Sequence, residues 1–123
     1  MKFLCLAYEE ERVLNELTDA EWRELREETL QYVESLRAGG HLLDARPLQS
    51  ATRAATVRVR QGRTSITDGP FAETKEQLGG YFLLEAASFE EALGLAGRWP
   101  SARLGTIEVR PIEEELRVES RYK

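Results

Sequence analysis

Residues 2–8, KFLCLAY, decide the fold. Phe3, Cys5 and Ala7 fall on one side of an extended chain, and Leu4, Leu6 and Tyr8 fall on the other. A strand that is apolar on both sides belongs at the centre of a sheet, with material on each face. The elements downstream must supply that material. Thr18-Asp-Ala-Glu21 has the spacing of a capping box, and Trp22, Leu25, Thr29, Tyr32, Val33 and Leu36 follow at helical intervals until Gly39-Gly40. The spacing predicts a helix over residues 19–38. Ser88-Phe-Glu-Glu91 opens a second helix over residues 89–98, with Phe89, Ala92, Leu93 and Ala96 inward and Trp99-Pro100 at its end.

Strands are expected at His41–Leu48, at Tyr81–Ala86 and at Gly105–Ile112. Thr56–Arg60 and Arg63–Thr67 flank Gln61-Gly62 and read as a hairpin with a charged outer face. With the hairpin set aside the order is β-α-β-β-α-β. This is an α+β, ferredoxin-like split βαβ arrangement, with an antiparallel sheet and both helices on one face. Two helices on one face leave the other side of residues 2–8 uncovered. A ligand or a second copy of the chain must cover it, and a homodimer does so with one chain type.

Between the hairpin and the third strand of that motif stands TDGPFAETKEQLGGYF, residues 67–82. Asp68-Gly69-Pro70 is turn chemistry, Gly79-Gly80 reads as a second bend, and the stretch between them reads as a loop with a short helical turn. The loop is longer than its connection requires, which marks it as a functional candidate. Asp68 is the candidate catalytic group. It is either a general base in a cavity mouth near Phe71 or a turn residue making an Asx turn ahead of Pro70. Gly69, Pro70 and Phe71 shape the loop, and Lys75 is either a solvated charge paired on the loop's helical turn or the partner of an anionic ligand. Tyr81 and Arg110 lie on strands of the same sheet, Arg110 sharing a face with Glu108, and His41 is the one histidine. Gly69, Pro70, Phe71, Lys75, Tyr81, Arg110 and His41 make up the candidate ligand-binding set beside Asp68.

The 123 residues make one domain, read as residues 1–112 followed by a charged tail over 113–123. A net charge of −5 argues against direct nucleic-acid binding despite Arg58, Arg60 and Arg63. Cys5 is the only cysteine, so neither an intrachain disulfide nor a cysteine metal site is expected. No apolar run has the length of a membrane span, and the N-terminus lacks a signal peptide's core, so a soluble, cytoplasmic protein is expected. No phosphate-binding glycine loop, nucleophile elbow or metal-spaced cluster stands in the sequence, so no cofactor and no metal are expected.

The run 67–82, with TVRVRQGR upstream and GTIEVRPI downstream, resembles the DGPF branch of the YCII-related proteins over nearly the whole chain. The resemblance implies a ferredoxin-like fold that dimerises sheet to sheet, as in the dimeric α/β barrels. Members of the branch often occur beside, or fused to, sigma factors of the extracytoplasmic-function type. Two functions of different class follow. One is a small-molecule site beside the loop, with cofactor-free acid–base chemistry. The other is a non-catalytic regulatory module that works with a sigma factor. Stand-alone YCII proteins resemble enzymes with a helical His acting with an Asp. The helix over residues 19–38 holds no His, so that dyad is not carried over.

Overall fold

The computed structural model describes residues 1–116, 118, 121 and 122. The strands are β1 (Lys2–Glu9), β2 (Leu42–Pro47), β3 (Ala55–Arg60), β4 (Arg63–Asp68), β5 (Gln77–Glu85) and β6 (Thr106–Pro111). The helices are α1 (Glu11–Asn15), α2 (Asp19–Ala38) and α3 (Phe89–Gly97). Strands β2-β5-β1-β6 form one antiparallel sheet, and β3-β4 form a separate ribbon. That order is the ferredoxin-like split βαβ with a hairpin inserted between β2 and β5.

Both long helices cover one face, and the core lies beneath them. Phe3 and Cys5 of β1 and Phe82 and Leu84 of β5 are wholly buried against Leu36, Ala92, Leu95 and Ala96. The Trp99 ring stacks on Phe82 at 3.9 Å between centroids, and Tyr32 meets Trp99 edge-on. The Tyr32 hydroxyl is satisfied by donating to the Leu95 carbonyl at 2.6 Å, which ties α2 to α3. Burial pushes the Cys5 thiol up to about 12, so it stays protonated and inert.

Helix α2 starts where its capping box directs. Thr18 Oγ1 accepts from Glu21 N at 3.1 Å, and Glu21 Oε1 accepts from Thr18 N at 2.9 Å. At α3 the box is one residue looser. Ser88 Oγ caps Glu91 N, but the Glu91 carboxylate takes Ala87 N instead of Ser88 N. Two inward assignments are corrected: Trp22 is 50% exposed and Leu93 is 45% exposed, both on the solvent side of their helices. The polar stretch after β1 contains the short helix α1, which has no side-chain cap and buries nothing.

The largest correction concerns Gly79-Gly80, which lie inside β5 rather than at a bend. A Cβ on Gly80 would come 2.9 Å from the Arg46 carbonyl oxygen, and one on Gly79 would collide with the Glu9 carboxylate. The β1–β5 register slips between Ala7 and Tyr8 at the same level. The glycines therefore permit close approach at a bulged strand crossing.

On the second sheet face, Leu4, Leu6, Tyr8, Tyr81 and Leu83 form a half-buried apolar centre. Asp44 and Arg46 flank it on β2, and Glu108 and Arg110 flank it on β6. No layer of the chain packs over these side chains among the described residues.

Candidate functional site

The end of the sheet where β1 finishes and β5 begins carries an open cleft of about 630 Å³. Tyr8 and Leu78, paired across β1 and β5, form its sheet wall. Leu48, just past β2, lies beside them, its N–H donating to Gly79 O at 2.8 Å. Pro70 and Phe71 close another side, and the turn over Ala51–Arg53 closes the last.

The loop over residues 69–76 contains no helical turn. It is held instead by its own polar groups. Thr74 Oγ1 donates to Glu76 O at 2.6 Å, and Gln77 Nε2 donates to Ala72 O and Thr74 O at 3.2 and 2.8 Å. At the loop's start, Gly69 has φ +98°, a left-handed value that a side chain would strain. Its N–H donates to Ala54 O at 2.7 Å, and its carbonyl accepts from Thr56 Oγ1 at 2.9 Å. These two bonds pin the loop to the root of the hairpin.

The candidates from the sequence do not all converge here. Pro70 and Phe71 line the cleft. Asp68 is exposed at the end of β4, opposite Ala55, and among the described residues no hydrogen bond reaches its carboxylate. The Asx turn expected ahead of Pro70 does not form, because proline has no N–H to donate. Phe71 does not lie beneath Asp68: its ring is 79% exposed, with the Arg58 guanidinium 5.6 Å from its centroid. Lys75 is exposed on the loop between Thr74 and Gln77, which both line the cleft.

Tyr81 projects from the open sheet face and donates to Asp44 Oδ2 at 3.1 Å, a bond that raises its phenol pKa above the usual value. Arg110 lies opposite Leu4 and holds Glu108 Oε2 at 2.7 Å, roughly 13 Å along β6 from the level of Tyr8. His41 precedes β2 at its far end, roughly 20 Å from Leu48 along the strand. Its Nδ1 donates to the Glu85 carbonyl at 2.9 Å.

Three residues that the sequence reading passed over belong to this end of the molecule. Ser50 and Arg53 line the cleft from the segment after β2. Glu11 Oε2 accepts from Ala51 N at 2.8 Å and fastens that segment to α1. Hydrogen bonds from Ser50 and Ala51 lower the Glu11 pKa. The available signal was the polar stretch QSATR, residues 49–53, an ordered loop between two strands.

The YCII-related domain matches residues 1–116. An uncharacterized protein of Rhizobium meliloti (strain 1021) is 39% identical over 118 residues, covering 91% of this chain and 92% of its own. Among solved structures, the chain is similar to the 5-chloro-2-hydroxyhydroquinone dehydrochlorinase TftG of Burkholderia phenoliruptrix AC1100 in complex with 2,5-dihydroxybenzoquinone. That likeness has a TM-score of 0.57 at 18% identity, over 94% of this chain and 96% of that one. At that identity it shows the fold, which is that of the dimeric α/β barrels. The chain belongs to the YCII-related domain family.

Proposed function

We propose that this chain is a DGPF-type member of its family that acts as a homodimer and binds a small organic molecule in the cleft beside the DGPF loop. The cleft carries the reading. Its volume, about 630 Å³, is that of a small-molecule site, and its wall is mainly apolar with a few hydroxyl and amide groups and the Arg53 side chain. The apolar centre of the second sheet face supports the dimer, because two copies packed face to face would cover Leu4, Leu6 and Leu83 at once. The chemistry proposed is acid–base turnover without a cofactor. Asp68, two residues ahead of the cleft-lining Pro70 and itself outside the lining, is the candidate base, and Gly69, Pro70 and Lys75 of the loop are the candidates to place or hold the ligand. Tyr81 and Arg110 stand on the open sheet face, and the proposed dimer interface is their route into a shared site, whereas His41 lies 3.9 Å from Glu91 of α3 and stays outside it. The cytoplasm is the proposed compartment; no helix among the described residues is long and apolar enough to cross a membrane.

The exposed hairpin supports a second reading, a non-catalytic module docked on an extracytoplasmic-function sigma factor. Val57, Val59 and Ile66 are each more than half exposed on one side of that ribbon.

One experiment separates the two. Light scattering at micromolar concentration is expected to give the dimer mass, and a monomer mass would overturn the dimer. A thermal-shift screen of small hydroxylated rings, the ligand class in the TftG complex, then tests the cleft. A ligand at ten times its Kd adds about 1.4 kcal/mol, a rise of roughly 4–6 °C for a domain of this size. The Asp68→Asn variant is expected to keep its fold and lose turnover of any hit. Absence of any shift across the screen favours the docking module.

A further inference from the structure

We propose that the cleft selects small organic anions, molecules with an apolar ring or chain and one carboxylate or phenolate, and that Arg53 is the group that holds the charge. The inference rests on the reading that the cleft is the ligand site, and it names the ligand's class.

The charge pattern of the wall carries it. Arg53 is the one ionisable cation among the lining residues, and no aspartate or glutamate lines the cleft. In a chain with 22 acids and 17 bases, a wall without a carboxylate stands against the overall balance. Arg53 is exposed and makes no ion pair among the described residues, unlike Arg12, Arg46, Arg103 and Arg110. The guanidinium is therefore available to a ligand as a planar, two-pronged donor, the geometry that matches a carboxylate.

The surroundings place and reinforce it. Arg53 ends the turn over Ala51–Arg53, where Ser50 Oγ accepts from Thr52 N at 3.1 Å and Glu11 accepts from Ala51 N. Glu11, the acid that touches this segment, thus has its charge committed to the turn rather than to Arg53. A second guanidinium, that of Arg58, stands over the Phe71 ring at the rim. The apolar part of the lining includes Tyr8, Leu48, Pro70 and Leu78, a surface for a ring or a short chain. An anion with an apolar body satisfies both halves of the cleft, whereas a neutral isostere of the same shape satisfies only the apolar half.

The test uses paired probes on the full chain: benzoate against benzamide, and cinnamate against cinnamamide, with affinities read by titration. Each acid is expected to bind roughly tenfold tighter than its amide, the difference between a charge-assisted and a neutral hydrogen-bonded pair. The preference should shrink between about 20 mM and about 300 mM salt, because Arg53 is exposed to counterions. In Arg53→Gln the acids should fall to the affinity of the amides, while the amides bind as before and the melting temperature holds. Equal binding of acid and amide by the wild-type chain overturns the anion preference and leaves the cleft as a ligand site. An undiminished preference in Arg53→Gln overturns the role of Arg53. Failure of all four probes to bind overturns both this inference and the reading beneath it.

Discussion

The four-stranded sheet and the β3–β4 hairpin are written in the same alternating code and end with opposite packing. In the sheet, Phe3, Phe82 and Leu84 lose all their exposure under α2 and α3. In the hairpin, Val57, Val59 and Ile66 keep 61%, 57% and 69% of theirs. The hairpin is locally sound. Gln61 and Gly62 take φ values of 52° and 75°, the left-handed pair that matches the twist of two antiparallel strands. Its other side carries Arg58, Arg60 and Arg63, as the alternation requires. What it lacks among the described residues is a layer to pack against, and a two-stranded ribbon alone is marginal in water. Period-two alternation therefore specifies strands and their sidedness, whereas the covering layer depends on chain segments far away in sequence or on another molecule.

The comparison can be broken from either side, and the sheet gives the larger effect. Phe82→Ala removes a wholly buried ring and its stack on Trp99, and is expected to cost about 3–5 kcal/mol. Urea unfolding of the variant would show it as a lowered midpoint at unchanged slope. In the hairpin, the double change Val57→Ser and Ile66→Ser is expected to move unfolding free energy by less than about 1 kcal/mol, since exposed positions away from special features rarely exceed ±0.5 each. A loss as large as that of Phe82→Ala would mean that a second copy or a partner already covers this face. The difference between the two regions would then belong to the lone chain only.

The contrast also explains what could be read from residues alone. The split βαβ order, the α2 capping box and the double-sided apolar β1 are local signals, and each predicts its element because neighbouring residues carry the information. Gly79-Gly80 was misread for the converse reason. Two adjacent glycines usually signal a bend, and here Gly80 is demanded by the Arg46 carbonyl of another strand while Gly79 makes room for the Glu9 side chain. Helix α1 left no mark because it has no side-chain cap and no buried face. At the site, the DGPF loop was visible as an excess of turn residues. The opposite wall was not, because Ser50 and Arg53 are joined to it only through the fold. Asp68, Tyr81, Arg110 and His41 were grouped by chemistry, and strand register then spread them over the length of the sheet.

The smallest expected effect lies at the seam between the sheet and the cleft. Glu9 ends β1, half-buried over the backbone of Gly79, and among the described residues its carboxylate has neither a hydrogen bond nor an ion pair. Burial, and after it the neighbouring Glu11 carboxylate, raises its pKa above the usual value. The folded state therefore holds the Glu9 proton more tightly than the unfolded chain does. That contribution to stability is complete below the unfolded value, about 4.3, and is lost as pH rises through the higher native value. At neutral pH the ionised carboxylate is a desolvated charge without a partner, and Glu9→Gln removes it while keeping the side chain's shape over Gly79. The variant is expected to melt above the wild type at pH 7, with the gap closing as the pH falls below about 4.3. Paired melting curves across that range decide it. A variant that melts below the wild type at pH 7 would show that the ionised Glu9 has a cationic partner in solution.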